Sequence, residues 1–115
     1  SLTRVPLAHR VVGGLINLRG QIVTAIDLRR RLGLPDREPG RESVNVVVQT
    51  DDGAVSLIVD EIGDVLTLSE SDFERPPETM RGAARELVLG VYKLAERLLV
   101  ILSPELIVTV PEDSG

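Results

Sequence analysis

The segment GLINLRGQIVTAIDL, residues 14–28, decides how this sequence is read. Two aliphatic runs, rich in the residues that fill strands, meet at Leu18-Arg19-Gly20. So short a join makes a tight hairpin. An Arg-Gly pair suits a type I′ turn poorly, because Arg19 would need positive φ. A type I turn over Leu18 and Arg19, with Gly20 left-handed in a G1 bulge, is the expected geometry. It projects the Arg19 guanidinium from the end of the hairpin.

Working outward, DLRRRLGLP (27–35) reads as one short helix. Asp27 is its N-cap, Leu28 and Leu32 share a face, and Gly33 and Pro35 stop it. Residues 36–43 form a polar loop. The runs 44–50 and 54–61 flank Asp51-Asp52-Gly53, a strong hairpin signal, and Val44, Val46 and Val48 fall on one face. Gly63 predicts a bulge or corner before DVLTL (64–68). In the polar stretch 69–86, Pro76-Pro77 argues against regular structure. A last hairpin, 87–95 and 97–102, turns near Glu96. Ser103 and Pro104 then begin a short helix expected over 103–110, ended by Pro111 ahead of a frayed tail, 111–115. Residues 1–10 are an extended lead-in, with Pro6 discouraging helix.

Many short strands with scraps of helix make an all-β chain, a small barrel or sandwich. Some strands are apolar on both faces, as at Leu15-Ile16 and Leu57-Ile58. Such strands are covered on both sides, which two packed barrels achieve more easily than one. Gly14 and Gly90 interrupt apolar strands, so each marks a bulge or the close approach of another backbone. A barrel corner explains either glycine equally well.

The 115 residues suffice for one domain with one core, and apolar residues make up 43% of them. Phe73 and Tyr92 are the only aromatics, too few for a base-stacking surface, and the net charge of −5 repels phosphate backbones and anionic lipid. Neither nucleic acid nor direct membrane insertion is expected. A protein partner fits better. No cysteine is present, which fits a reducing compartment, and no apolar run approaches a membrane span. The N-terminal residues lack a signal-peptide core, so a cytoplasmic location is expected.

Catalytic chemistry is poorly supplied. His9 is the sole histidine and reads as a solvated surface residue in the lead-in. Carboxylates alone make a zinc site improbable, and no cofactor motif is found. No serine has an activating base beside it. The pairs Asp51-Asp52 and Asp60-Glu61 point to opposite faces of their strands, so they read as a solvated turn and a solvated strand end. Arg29, Arg30 and Arg31 read as a solvated helix face.

Three blocks together carry a family resemblance. VVGGLINLRGQIVTAIDLRRRLGLP (11–35) closely resembles the signature of the CheW family, the coupling proteins of bacterial chemotaxis. Gly14, Asn17, Leu18, Arg19, Gly20, Asp27, Leu28 and Arg29 stand in the family's positions. LIVDEIGDVLTL (57–68) and VLGVYKLAERLLVIL (88–102) are similar to two later family segments, in the same order. The resemblance implies two intertwined SH3-like β-barrels over 11–102 within a single CheW-like domain. It implies no enzyme activity, and a role bridging the cytoplasmic tip of chemoreceptors to the histidine kinase CheA. By motif, Arg19 matches an arginine implicated in partner binding and Gly14 a glycine on the kinase-facing side, with Asn17 and Gly20 in the same motif. Val44, Ile62 and Gly90 align with the receptor-facing surface, Val44 and Ile62 being equally at home in a core.

Family domains begin upstream with a strand hairpin and a helix, so the first barrel is expected to lack its N-terminal strands. Either the chain is part of a longer protein, or a second copy supplies strands by exchange in a homodimer. The leading expectation is a non-catalytic adaptor. One alternative is a CheW-like regulatory domain of a larger signalling protein, such as CheA itself or a coupling-receiver fusion. Another is a small-molecule-binding or hydrolytic barrel, which would need convergent polar groups that the sequence does not offer.

Overall fold

The computed structural model describes residues 10–109. The expectations for Pro6, His9, Pro111 and the tail therefore lie outside the described residues. Two sheets and short helices make up the rest, consistent with paired SH3-like barrels. The first sheet contains β1 (Val12–Leu18), β2 (Gln21–Asp27), β3 (Val44–Thr50) and β4 (Gly53–Val59) in the order β1-β2-β4-β3. Both hairpins are antiparallel, and β2 joins them by running parallel to β4, with Ala25–Asp27 alongside Ser56–Ile58. The second sheet contains β5 (Phe73–Glu74), β6 (Val88–Lys93) and β7 (Leu98–Leu102), in that order.

Three short helices complete the chain: α1 (Leu28–Arg31), α2 (Ala83–Leu87) and α3 (Pro104–Val108). The predicted caps form. Asp27 accepts from the Arg29 and Arg30 amides at 3.0 and 3.4 Å, and Ser103 accepts from Leu106 N at 3.2 Å. Helices of four or five residues are too short to be stable alone, so tertiary contacts hold them.

The core lies where the first sheet meets α2 and α3. Ile26 and Leu57 pack there with Val11, Leu87, Ile107 and Val108, bordered by Leu28, Leu32 and Leu102. Leu28 and Leu32 thus share the inward face that their spacing predicts. A buried polar residue, Ser56, is satisfied by donating to Asn45 Oδ1 at 2.9 Å.

Several expectations need correction. The β1–β2 turn closes at the Leu18–Gln21 pair, with Arg19 at φ 51° and Gly20 at φ 85°. Two central residues at positive φ are the type I′ pattern, not a type I turn with a bulge. The right-handed twist of the strands favours this turn, and Asn17 Oδ1 braces it by accepting from Gly20 N at 2.9 Å. The bulge lies instead at Val12–Gly14, where Gly14 sits at φ 149°.

Double coverage holds for β4 but not for β1, an edge strand whose Leu15 is 50% exposed. The 61–69 segment has no regular structure, and Val65 is fully exposed. The polar stretch 69–86, by contrast, holds a 3-10 turn (Glu70–Asp72), β5 and most of α2. Its prolines leave room for these short pieces on either side.

Candidate functional site

Hairpin geometry places four of the sequence-predicted residues on one strand pair. Arg19 stands at the tip, and among the described residues its guanidinium makes no ion pair or hydrogen bond. Asn17 and Gly20 hold the turn that presents it. Gly14 supplies the bulge farther down β1, in a conformation that glycine tolerates best. A left-handed non-glycine residue carries backbone strain, and such strain concentrates at functional sites. The tip is flanked on one sheet face by apolar side chains, with Leu15 half-exposed and Ile22 65% exposed.

Val44 and Ile62 come together elsewhere. Val44 pairs with Val59 at the end of β4, and the chain then passes through Asp60 to Ile62. Both residues line a notch of about 630 Å³, Val44 being 37% and Ile62 67% exposed. Neither is core. The loop after α1 forms another part of the wall, through Arg37 and residues 40–43.

An ion-pair network fixes that wall. Arg29 grips Asp60 in a fork, Nε to Oδ1 at 2.9 Å and Nη2 to Oδ2 at 2.8 Å. Arg37 Nε donates to the same Oδ1 at 2.9 Å, while its Nη1 lies 3.7 Å from Asp27 Oδ2. The hydrogen bond from Arg29, reinforced by Arg37, holds the Asp60 carboxyl down at about 2 from an ordinary 3.8. Asp60 in turn raises Arg29. Arg30 pairs with Asp36 at 3.1 Å and donates to Arg10 O at 3.2 Å. Arg31 donates to the carbonyls of Leu106, Ile107 and Thr109 at 2.8–2.9 Å. The three arginines are therefore ties, not the solvated face their spacing suggests, and Asp60 is a hub rather than a solvated strand end. Sequence reasoning missed Arg37 and Asp60 because their partners lie 23 and 31 residues away.

Gly90 belongs to neither surface. It is buried in β6 opposite Ile101, under the ring of Phe73. A Cβ there would collide with that ring and come within 2.8 Å of the Glu74 carbonyl oxygen. The close backbone approach read from the sequence is present. Phe73 also meets Tyr92 edge-on, with centroids 5.2 Å apart.

Strand direction sets the two surfaces apart. From the hairpin tip, β2 runs away toward Asp27, parallel to β4, which runs toward Asp60 and the notch. At the usual rise per residue, the seven residues of β2 separate tip and notch by about 20 Å. This one sheet carries a cationic tip at one end and, at the other, an ion-braced notch of mostly polar lining that includes Val44 and Ile62. No helix among the described residues is long and apolar enough to cross a membrane.

Comparison with known proteins agrees with this architecture. The CheW-like domain family profile matches residues 1–112. The chain is 39% identical over 100 residues to a Bacillus subtilis protein named chemotaxis protein CheW, covering 87% of this chain and 64% of that protein. It is 33% identical to the protein of the same name from Rhizobium meliloti, with the same coverages. The chain thus spans 64% of the length of these curated relatives. The crystal structure of the scaffolding protein TtCheW from Thermoanaerobacter tengcongensis superposes with a TM-score of 0.75 at 30% identity, covering 93% of this chain and 69% of that one.

Proposed function

Since this chain belongs to the CheW-like domain family, we propose that it is a non-catalytic adaptor that couples chemoreceptors to the histidine kinase CheA. Residues 11–102 act in this reading as one module, working in the cytoplasm. The chemotaxis relatives and the scaffolding neighbour support the role. The observation that carries it is the pair of surfaces at opposite ends of one sheet, since an adaptor must hold two partners without their colliding. Arg19 and Gly14, braced by Asn17 and Gly20, face the kinase. Val44 and Ile62 face the receptor tip. Gly90 enters only by seating Phe73.

Arginine suits the first task, because its planar fork matches a carboxylate and it is enriched at interfaces. Co-sedimentation of the purified chain with receptor-bearing membranes and kinase tests the reading. Arg19→Ala is expected to leave the fold intact and release the kinase, while the chain itself stays with the receptor. A chain that sediments with neither partner overturns the adaptor role. Unchanged co-sedimentation of the variant removes Arg19 from the site.

A further inference from the structure

Apolar burial does not hold the walls of the notch. Along the loop after α1, from residue 33 to 43, every residue is exposed except Arg37. Past the end of β4, residues 60–67 are all exposed. Segments with so few buried contacts move unless something else ties them. Here the ties are polar. Arg29 gives Nε and Nη2 to Asp60 at 2.9 and 2.8 Å, and its Nη1 donates to the Pro35 carbonyl at 3.0 Å. Arg37 Nε reaches the same Asp60 Oδ1 at 2.9 Å. The loop and the exit of β4 therefore meet at one carboxylate. Isolated surface pairs contribute little, but a forked pair within a network is the exception. Val44 is placed independently, by its ladder pairing with Val59. Ile62, two residues past Asp60, lies beyond that ladder.

We infer that Asp60 is a positioning residue of the receptor-facing surface, the shared anchor through which Arg29 and Arg37 hold Ile62 and the 40–43 loop in fixed relation to Val44. This rests on the adaptor reading, and it gives Asp60 no contact with the partner. Without the carboxylate, the exit of β4 loses both arginines and samples a range of positions. The partner fits only a fraction of them, and apparent affinity falls by that fraction. The core cluster does not include Asp60, so the fold survives its replacement.

Two measurements on the full chain test the inference. The sequence has no cysteine, so spin labels introduced by Arg41→Cys and Asp64→Cys, both at exposed positions, report the width of the notch by pulsed electron spin resonance. Unlabelled chain is titrated with a purified receptor cytoplasmic fragment, and separately with the kinase regulatory domain. Asp60→Ala is expected to turn a narrow label distance into a broad one and to weaken receptor-fragment binding about fivefold. Kinase binding should stay unchanged, which also reports an intact fold. Asp60→Asn keeps one acceptor oxygen for the arginines and should recover part of both losses. If Asp60→Ala leaves receptor affinity unchanged while wild type binds both partners, this inference fails and the adaptor role stands. A distance that stays narrow while affinity falls makes Asp60 a contact residue and overturns the positioning role. Equal loss of both partners assigns Asp60 to general stability and overturns it too. If wild type binds neither partner, both readings fall.

Discussion

Arg19, proposed to meet a partner, sits in a backbone conformation that its own side chain disfavours. Its φ of 51° is a conformation that Asn adopts more easily, and Asn-Gly is the preferred pair for a type I′ hairpin. Arg19→Asn should therefore stabilise the chain by about 0.5–1 kcal/mol, read as a higher melting temperature, while releasing the kinase. A variant that is less stable would show that the guanidinium supports the fold. Arg19 was legible as an exposed cation at a bend, but not as left-handed. Propensity argues against that state, and the strand twist that imposes it is a property of the paired ladder. Asp60 poses the complementary case. Its folded pKa of about 2 lies below the ordinary 3.8, so its pairing stabilises the fold above 3.8 and is lost as pH falls through about 2. Wild type should thus exceed Asp60→Asn in stability by a constant margin at neutral pH and down to about pH 4. Acid titration followed by circular dichroism should show the margin closing between pH 3.8 and 2. A margin that closes near neutrality would mean that another group carries the effect.

Among the elements, α1 depends most on its surroundings. Four residues give it almost no intrinsic stability, yet its arginines reach the notch wall, the Arg10 carbonyl and the end of α3. Arg31 makes three charge-assisted bonds to carbonyls at the C-terminal end of α3, those of Leu106, Ile107 and Thr109. Burial lowers its pKa without bringing deprotonation within reach of ordinary pH. Arg31→Ala should cost about 1–2 kcal/mol, the range for charged hydrogen bonds reduced for partial exposure. Urea unfolding should show a lower midpoint at unchanged slope, with Arg31→Lys recovering part of the loss because an ammonium cannot span three carbonyls. No change in midpoint would make the contacts incidental. The hairpins were legible because period-2 apolar alternation and Asp51-Asp52-Gly53 are local signals. The caps at Asp27 and Ser103 were legible for the same reason. By contrast, α2 and β5 were hidden in a polar stretch, because a five-residue helix and a two-residue strand exist only through their neighbours. The arginine ties were hidden because sequence spacing on a four-residue helix does not reveal partners elsewhere in the chain.

At the scale of the molecule, the expectation of paired SH3-like barrels agrees with the two sheets, while coverage of every doubly apolar strand does not hold. Part of the aliphatic surplus remains exposed, as Leu15 and Ile22 on the first sheet and as Leu98 and Val100 on the second. Strand order makes β1 and β3 the edges of one sheet and β5 and β7 the edges of the other. Edge strands offer unpaired N–H and C=O groups, and β7 reads LLVIL without a charge to blunt it. Such an edge pairs with another chain unless something covers it. Light scattering of this chain should therefore show a mass that rises with concentration from the 12.5 kDa of one copy toward twice that value. Val100→Lys places a charge on an exposed position of β7, the device by which natural edges resist pairing. It should shift the equilibrium back to one copy without lowering the melting temperature, because Val100 lies outside the buried core. A wild-type chain that stays at 12.5 kDa across that range would show that apolar edges of this length do not suffice for association. A variant that still doubles its mass would move the contact from β7 to the face bearing Leu15 and Ile22.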